Sequence, residues 1–251
     1  EDQTDGVVRD PVLLIAVDPE TGGKDSITGG EGNDRIFGGA GDDNIWGSAG
    51  NDVLFGDLGR MDYVAEDVGE DGPLAGQEVT ATLWRVRTTY ESYGGADTLY
   101  GLVGEDILLG GFNPDDSFDI LLGGNDDDAL LGDNGLLTFA PNLATSEDLR
   151  DVYLVTLDTI YPGIGGSDDL RGNAGNDLLV GGTNADQLYG DDKSGSAGAS
   201  DGDDILIGDN ASVEMVGGVA GRFNALGSGV GTIETTDTVE ATGGADVIGG
   251  N

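Results

Sequence analysis

The chain has 251 residues, of which 48 are Gly and 49 are Asp or Glu against only 10 Lys or Arg, for a formal charge of -39. Self-repulsion at that density opposes any compact state, yet Ile, Leu and Val are plentiful and regularly placed, so the composition implies a polyvalent cation that is not itself written in the sequence. The absence of Cys and His excludes disulfides, Cys or His zinc ligands and His-based catalysis, and an acidic surface suits neither nucleic acid nor anionic membrane.

In chain order, residues 1–21 contain a short apolar run at 12–17, followed by GGKD at 22–25; the segment reads as the tail of an interruption of the kind that recurs further on. Residues 29–55 then read GGEGNDRIF, GGAGDDNIW, GSAGNDVLF, which are blocks of nine with Asp sixth and Ile or Leu eighth. A fixed period of this kind is the signature of a repeat architecture. Extended along the chain, the frame places the repeat Asp at Asp25, Asp34, Asp43 and Asp52, then at Asp97, Asp106, Asp119 and Asp128. A third set is Asp168, Asp177, Asp186 and Asp204, and the last is Asp246. Two residues after each stands an Ile or Leu, from Ile27 to Ile248, a uniformity that chance placement of Asp does not produce.

The blocks gather into groups at 22–59, 94–135 and 165–211, with a truncated fourth at 243–251. Each group opens on a shortened GGxD, and successive opener Asp residues lie 72, 71 and 78 positions apart. The first three groups close on a Gly-Asp step at Asp57, Asp133 and Asp209, where an Asx-turn and metal ligation are equally open readings. Between groups lie excursions at 60–93, 136–164 and 212–242. Each has a short alternating segment (61–64, 136–140, 212–216) and a longer one rich in β-formers (79–90, 152–161, 232–239), predicted as a strand at either end. The whole of 1–251 therefore reads as one continuous array, a piece of something longer, whose export signal is expected outside these residues. No apolar stretch approaches the ~20 residues that span a bilayer.

Nine residues divide into a six-residue turn and a three-residue strand. Gly at the first, second and fourth places permits positive φ and close backbone approach, and the middle strand residue, the Ile or Leu, points inward. Two blocks on opposite sides make one 18-residue coil, which superposes Asp residues at about 4.8 Å per coil. Carboxylates so stacked repel unless a cation lies between them. Ligation by oxygen alone selects Ca²⁺ over zinc. The stacked pairs are Asp25 with Asp43, Asp34 with Asp52, Asp97 with Asp119, Asp106 with Asp128, Asp168 with Asp186, and Asp177 with Asp204. They define six sites, rising to roughly twelve if coils stack through the closers. Six divalent ions take the charge from -39 to -27.

The ninth place holds Phe37, Trp46, Phe55, Tyr100, Leu109, Leu122, Leu131, Val180, Tyr189 and Ile207, an outward apolar stripe that needs a cover. Either the excursions fold back over it, or neighbouring copies and adjoining repeats do, giving a filament or lattice.

The nonapeptide resembles the calcium-binding repeat of the RTX (hemolysin-type) family. The resemblance implies an all-β fold, a calcium-binding parallel β-roll or β-solenoid, here with strand-containing excursions every ~72 residues. It also implies that loop glycines join the Asp carboxylates as calcium ligands: Gly29, Gly30, Gly32, Gly38, Gly39, Gly41, Gly47 and Gly50. It implies, further, type I export through the Gram-negative envelope and folding on Ca²⁺ outside the cell. Departures from the pattern are Asp126 and Asn184 in place of the fourth Gly, and insertions before Asp119 and Asp204. The function expected is a non-enzymatic, calcium-binding structural segment of an extracellular surface protein, an adhesin, surface-layer or fibre component. The alternative is the calcium-binding export and folding module of a secreted enzyme or toxin. A flat ice- or ligand-binding face is disfavoured, because the seventh-place residues Ser26, Arg35, Asn44 and Val53 form no regular array.

Overall fold

The computed structural model describes residues 11–65, 81–114, 117–141, 152–191, 202–215, 230–236 and 245–249. Among them are twenty strands, numbered along the chain, and no helix. The strands of the parallel sheets are short, three to six residues, because each block extends for three residues before its turn and at most three more at the start of the next. The first parallel sheet holds, in order, β2 (Ser26–Glu31), β4 (Asn44–Ala49), β8 (Thr98–Val103), β10 (Ile120–Asn125), β14 (Asp169–Ala174), β16 (Gln187–Tyr189) and β20 (Val247–Gly249). The second parallel sheet holds β3 (Arg35–Phe37), β5 (Val53–Phe55), β9 (Ile107–Leu109), β11 (Ala129–Leu131), β15 (Leu178–Gly182) and β17 (Ile205–Asp209).

The register keeps the eighth-place residues level. Ile27, Ile45, Leu99, Leu121, Leu170, Leu188 and Ile248 are successive partners in the first sheet. Ile36, Leu54, Leu108, Leu130, Leu179 and Leu206 are partners in the second. These two rows meet as one core between the sheets. Ile248 departs from the inward expectation: it lies on the last strand of its sheet and is 54% exposed.

The third sheet is antiparallel, in the order β1 (Leu13–Ile15), β6 (Gly59–Ala65), β7 (Ala81–Thr88), β12 (Gly135–Pro141), β13 (Val152–Thr159), β18 (Ala211–Met215) and β19 (Val230–Thr235). The paired strands β6–β7, β12–β13 and β18–β19 come from the three excursions; the predicted segments at 79–80, 216 and 237–239 lie outside the described residues. Each pair has a bulge at the same place, after Asp62, Thr138 and Glu214, so the excursions repeat structurally every 76 residues at this point. Their alternate residues Met61, Val86, Leu137, Phe139, Leu154, Leu157 and Val213 pack on Phe55, Leu109, Leu131 and Val180 of the second parallel sheet. Between the two covers foreseen for the apolar stripe, the excursions cover the half that lies on this sheet. The half on the first sheet is only partly buried, with Trp46 and Tyr100 stacked on each other at 5.5 Å.

The parallel ladders run straight across each excursion. Strands β4 and β8 pair in the register of β2 and β4 although an excursion separates them. The closer and the next opener are therefore two parts of one nonapeptide. Gly56 and Asp57 fill its first two places: Gly39 N–H donates to the Gly56 carbonyl, and Asp57 N–H donates to that of Gly110. Gly95 fills the fourth place, packed on the fourth-place Gly41 so closely that a methyl group on it would collide with the Gly41 carbonyl. The opener at 94–97 is therefore not shortened, as its sequence suggested: its first two residues, Gly56 and Asp57, stand at the far side of the excursion.

Candidate calcium sites

The turns align the repeat Asp side chains into two columns. Backbone N–H groups of Asp25, Asp43, Asp97, Asp119, Asp168 and Asp186 donate to Oδ1 of Asp43, Asp97, Asp119, Asp168, Asp186 and Asp246 respectively, at 2.7–3.0 Å. On the other side, Asp34, Asp52, Asp106, Asp128 and Asp177 donate in the same way to Asp52, Asp106, Asp128, Asp177 and Asp204. All six expected pairs are brought together, and five further contacts join the groups to one another.

One oxygen of each interior carboxylate is thus consumed by the ladder. The other is buried: Oδ2 of Asp43, Asp119, Asp128, Asp177 and Asp186 accepts no hydrogen bond, and neither does Oδ2 of Asp34, the first residue of its column, whose N–H only donates to the ladder. Beside it stands the first-place glycine of a turn. A methyl group on Gly29, Gly38 or Gly47 would strike Oδ2 of Asp34, Asp43 or Asp52, and on Gly110 it would strike both Asp119 Oδ2 and the Gly132 carbonyl. Carbonyls of a neighbouring turn close several cradles, those of Gly47 and Gly56 at Gly29 and Gly38. Second-place Gly30 and Gly39 and fourth-place Gly32, Gly41 and Gly50 all have positive φ, 105–127°. Asp126 (φ 73°) and Asn184 (φ 76°) take the same left-handed backbone at the fourth place, as their small polar side chains allow. Ser48, Leu102 and Asn173 do so at the second place, where the turn overrides residue preference.

Buried anionic oxygens without donors, facing a space bounded by carbonyls, fit a hard cation. Among the described residues no three Asp or Glu side chains converge on one point, so backbone carbonyls must supply most of the coordination. Asp34, Asp43, Asp119, Asp128, Asp177 and Asp186 would hold Ca²⁺ through Oδ2, with first-place glycines leaving the room. Electrostatics agree. Burial, and behind it the neighbouring carboxylates, raises the Asp119 and Asp128 carboxyls well above the ordinary range. Burial likewise pushes Asp97 up to about 8, Asp168 to about 7, Asp177 to about 8 and Asp186 to about 9. A cation supplies the charge that makes ionisation tolerable.

The closers behave differently. Asp57 accepts from Gly95 N–H with Oδ1 (3.0 Å) and from Phe112 N–H with Oδ2 (2.6 Å). Asp133 repeats this with Gly166 N–H (2.7 Å) and Thr183 N–H. Each carboxylate joins the two ends of an interrupted turn and ties both to the next coil, replacing the peptide link that the excursion removes. Of the two readings open for the closers, the turn role is the one the hydrogen bonds of Asp57 and Asp133 describe. The closer-to-opener count of nine was the available signal.

Turns of oxygen-only cradles repeated along paired parallel ladders define a calcium-binding repeat protein. A family model described as the RTX calcium-binding nonapeptide repeat (4 copies) matches residues 28–60, 91–116 and 162–192. The chain carries RTX calcium-binding repeats. The match at 91–116 ends inside the inserted turn before Asp119, where the nine-residue frame lapses. No curated protein matches the chain.

Proposed function

We propose that the two parallel sheets are the walls of a calcium-wound β-roll, with the antiparallel sheet as its outer rib, and that the chain serves as a non-enzymatic structural segment of an extracellular surface protein. The observation that carries this reading is the continuity of both Asp columns through the first two excursions and of one of them through the third. A column uninterrupted over the described length transmits stiffness from one group to the next, as nearest-neighbour arrays do. RTX repeats are typical of secreted proteins of Gram-negative bacteria, where millimolar Ca²⁺ outside the cell would wind the chain after export. The excursions at 60–93, 136–164 and 212–242 are then ribs inserted into single turns, and residues 11–21 the end of another such rib, since β1 pairs with β6 as β7 pairs with β12.

The test is circular dichroism in EDTA and on adding Ca²⁺, followed by metal counting on the refolded chain. Cooperative gain of β-structure at roughly 10⁻⁴ to 10⁻³ M free Ca²⁺ is expected, as in extracellular modules, with about six to twelve ions bound. A fully folded, metal-free chain after exhaustive chelation would refute it.

A further inference from the structure

We propose that the outer face of the antiparallel sheet is a self-complementary interface that takes a second copy of this chain. Strand alternation turns Met61, Val86, Leu137, Leu157 and Val213 inward. The register then sets two outward rows across the sheet. One reads Ile15, Arg60, Arg87, Leu136, Asp158, Ser212 and Glu234. The other reads Leu13, Asp62, Arg85, Thr138, Thr156, Glu214 and Thr232.

The face is electrically polarised. Three of the chain's ten basic residues, Arg60, Arg85 and Arg87, lie together on β6 and β7; among the described residues Asp62 opposes them, at 2.5 Å from Arg60 and 3.7 Å from Arg85. The β13–β19 half carries Asp158, Glu214 and Glu234 and, in these rows, no basic residue. Positions equivalent in the repeat reverse sign: Arg87, Asp158 and Glu234 occupy the same place in three successive ribs. Arg60 stands directly opposite Arg87, an arrangement that costs stability within one sheet. In a chain of net charge -39, such a basic cluster is a ready contact for an acidic surface.

A two-fold axis parallel to the strands, between β12 and β13, lays one basic half over the other copy's acidic half. Arg60 then faces Glu234 of the second copy, Arg85 faces its Glu214, and Thr138 faces Thr156. The sheet offers roughly 700 Å², from seven strands about 4.8 Å apart, close to the ~800 Å² per partner of a standard interface. An anionic polymer would use the basic half alone; a second copy uses both.

The experiment is sedimentation of the calcium-loaded chain at 0.15 M salt over about 1 to 100 µM, with the double variants Arg60→Glu/Arg85→Glu and Glu214→Arg/Glu234→Arg. Circular dichroism in Ca²⁺ checks that each is folded. The wild type is expected to dimerise, each double variant alone to weaken dimerisation about tenfold or more, and an equimolar mixture of the two to restore it. A wild type that stays monomeric to 100 µM overturns the proposal, as does a dimer indifferent to both variants. Monomers that instead bind heparin, used as an acidic polysaccharide probe, through the Arg60 and Arg85 patch overturn it in favour of the polymer.

Discussion

Replacing Asp119 with Asn separates the two tasks of a ladder carboxylate. Asp119 is fully buried near the middle of its column; Oδ1 accepts the Asp97 N–H at 2.7 Å, and Oδ2 faces the cradle at Gly110 without a donor. Asn keeps the oxygen that serves the ladder and removes the negative charge. In Ca²⁺ the variant loses a ligand that the cation requires. If the site is 100-fold saturated, its binding contributes about 2.7 kcal/mol, so losing it costs about 2–3 kcal/mol. Without Ca²⁺ the sign turns, since burial and the nearby Asp168, Asp97 and Asp57 carboxylates all oppose the charge that Asn removes. Urea unfolding followed by circular dichroism at 10 mM CaCl₂ should show the loss, and metal counting should fall by one or two ions. In EDTA the variant should retain at least as much β-structure as the wild type. Equal destabilisation in both buffers, with an unchanged metal count, would mean that Asp119 is only a turn residue.

Acidity should partly substitute for the cation. Asp97, Asp168, Asp177 and Asp186 have folded-state carboxyls near 8, 7, 8 and 9, against 3.8 for an unperturbed Asp, so the metal-free fold binds more protons than the unfolded chain between those limits. Its stability therefore falls as pH rises, and is lost through about pH 7 to 9; circular dichroism in EDTA should show more β-structure at pH 5 than at pH 9. Asp57→Ala leaves the Gly95 and Phe112 N–H groups without their acceptor, at about 1–3 kcal/mol each, and hydrogen exchange should accelerate at those two amides while the third group stays protected. Leu157→Ala, in the core between the antiparallel sheet and the second parallel sheet, should cost about 2–5 kcal/mol in calcium, measured by urea unfolding.

The repeat was legible because its chemistry is local. Glycine at fixed turn places, an Asp to take the next coil's N–H and an Ile or Leu two residues on all act within nine residues, so phase alone gives Asp34 over Asp52 and Ile36 over Leu54. The all-β class and the candidate ligands follow from the same pattern, as do the left-handed turns at Asp126 and Asn184. Other features depended on what distant segments do once the coils stack. Asp57 and Gly95 belong to one turn only because the ladders draw β4 and β8 together across the excursion. By sequence, Phe55, Leu109 and Leu131 admitted a neighbour's cover as well as the chain's own. Burial chose the second, since Met61, Leu137 and Leu157 had an apolar side of their own to remove from water. The opposition of Arg60 and Arg87 arises from hairpin register, which is set by pairing across residues far apart in the chain and is invisible to a nine-residue period.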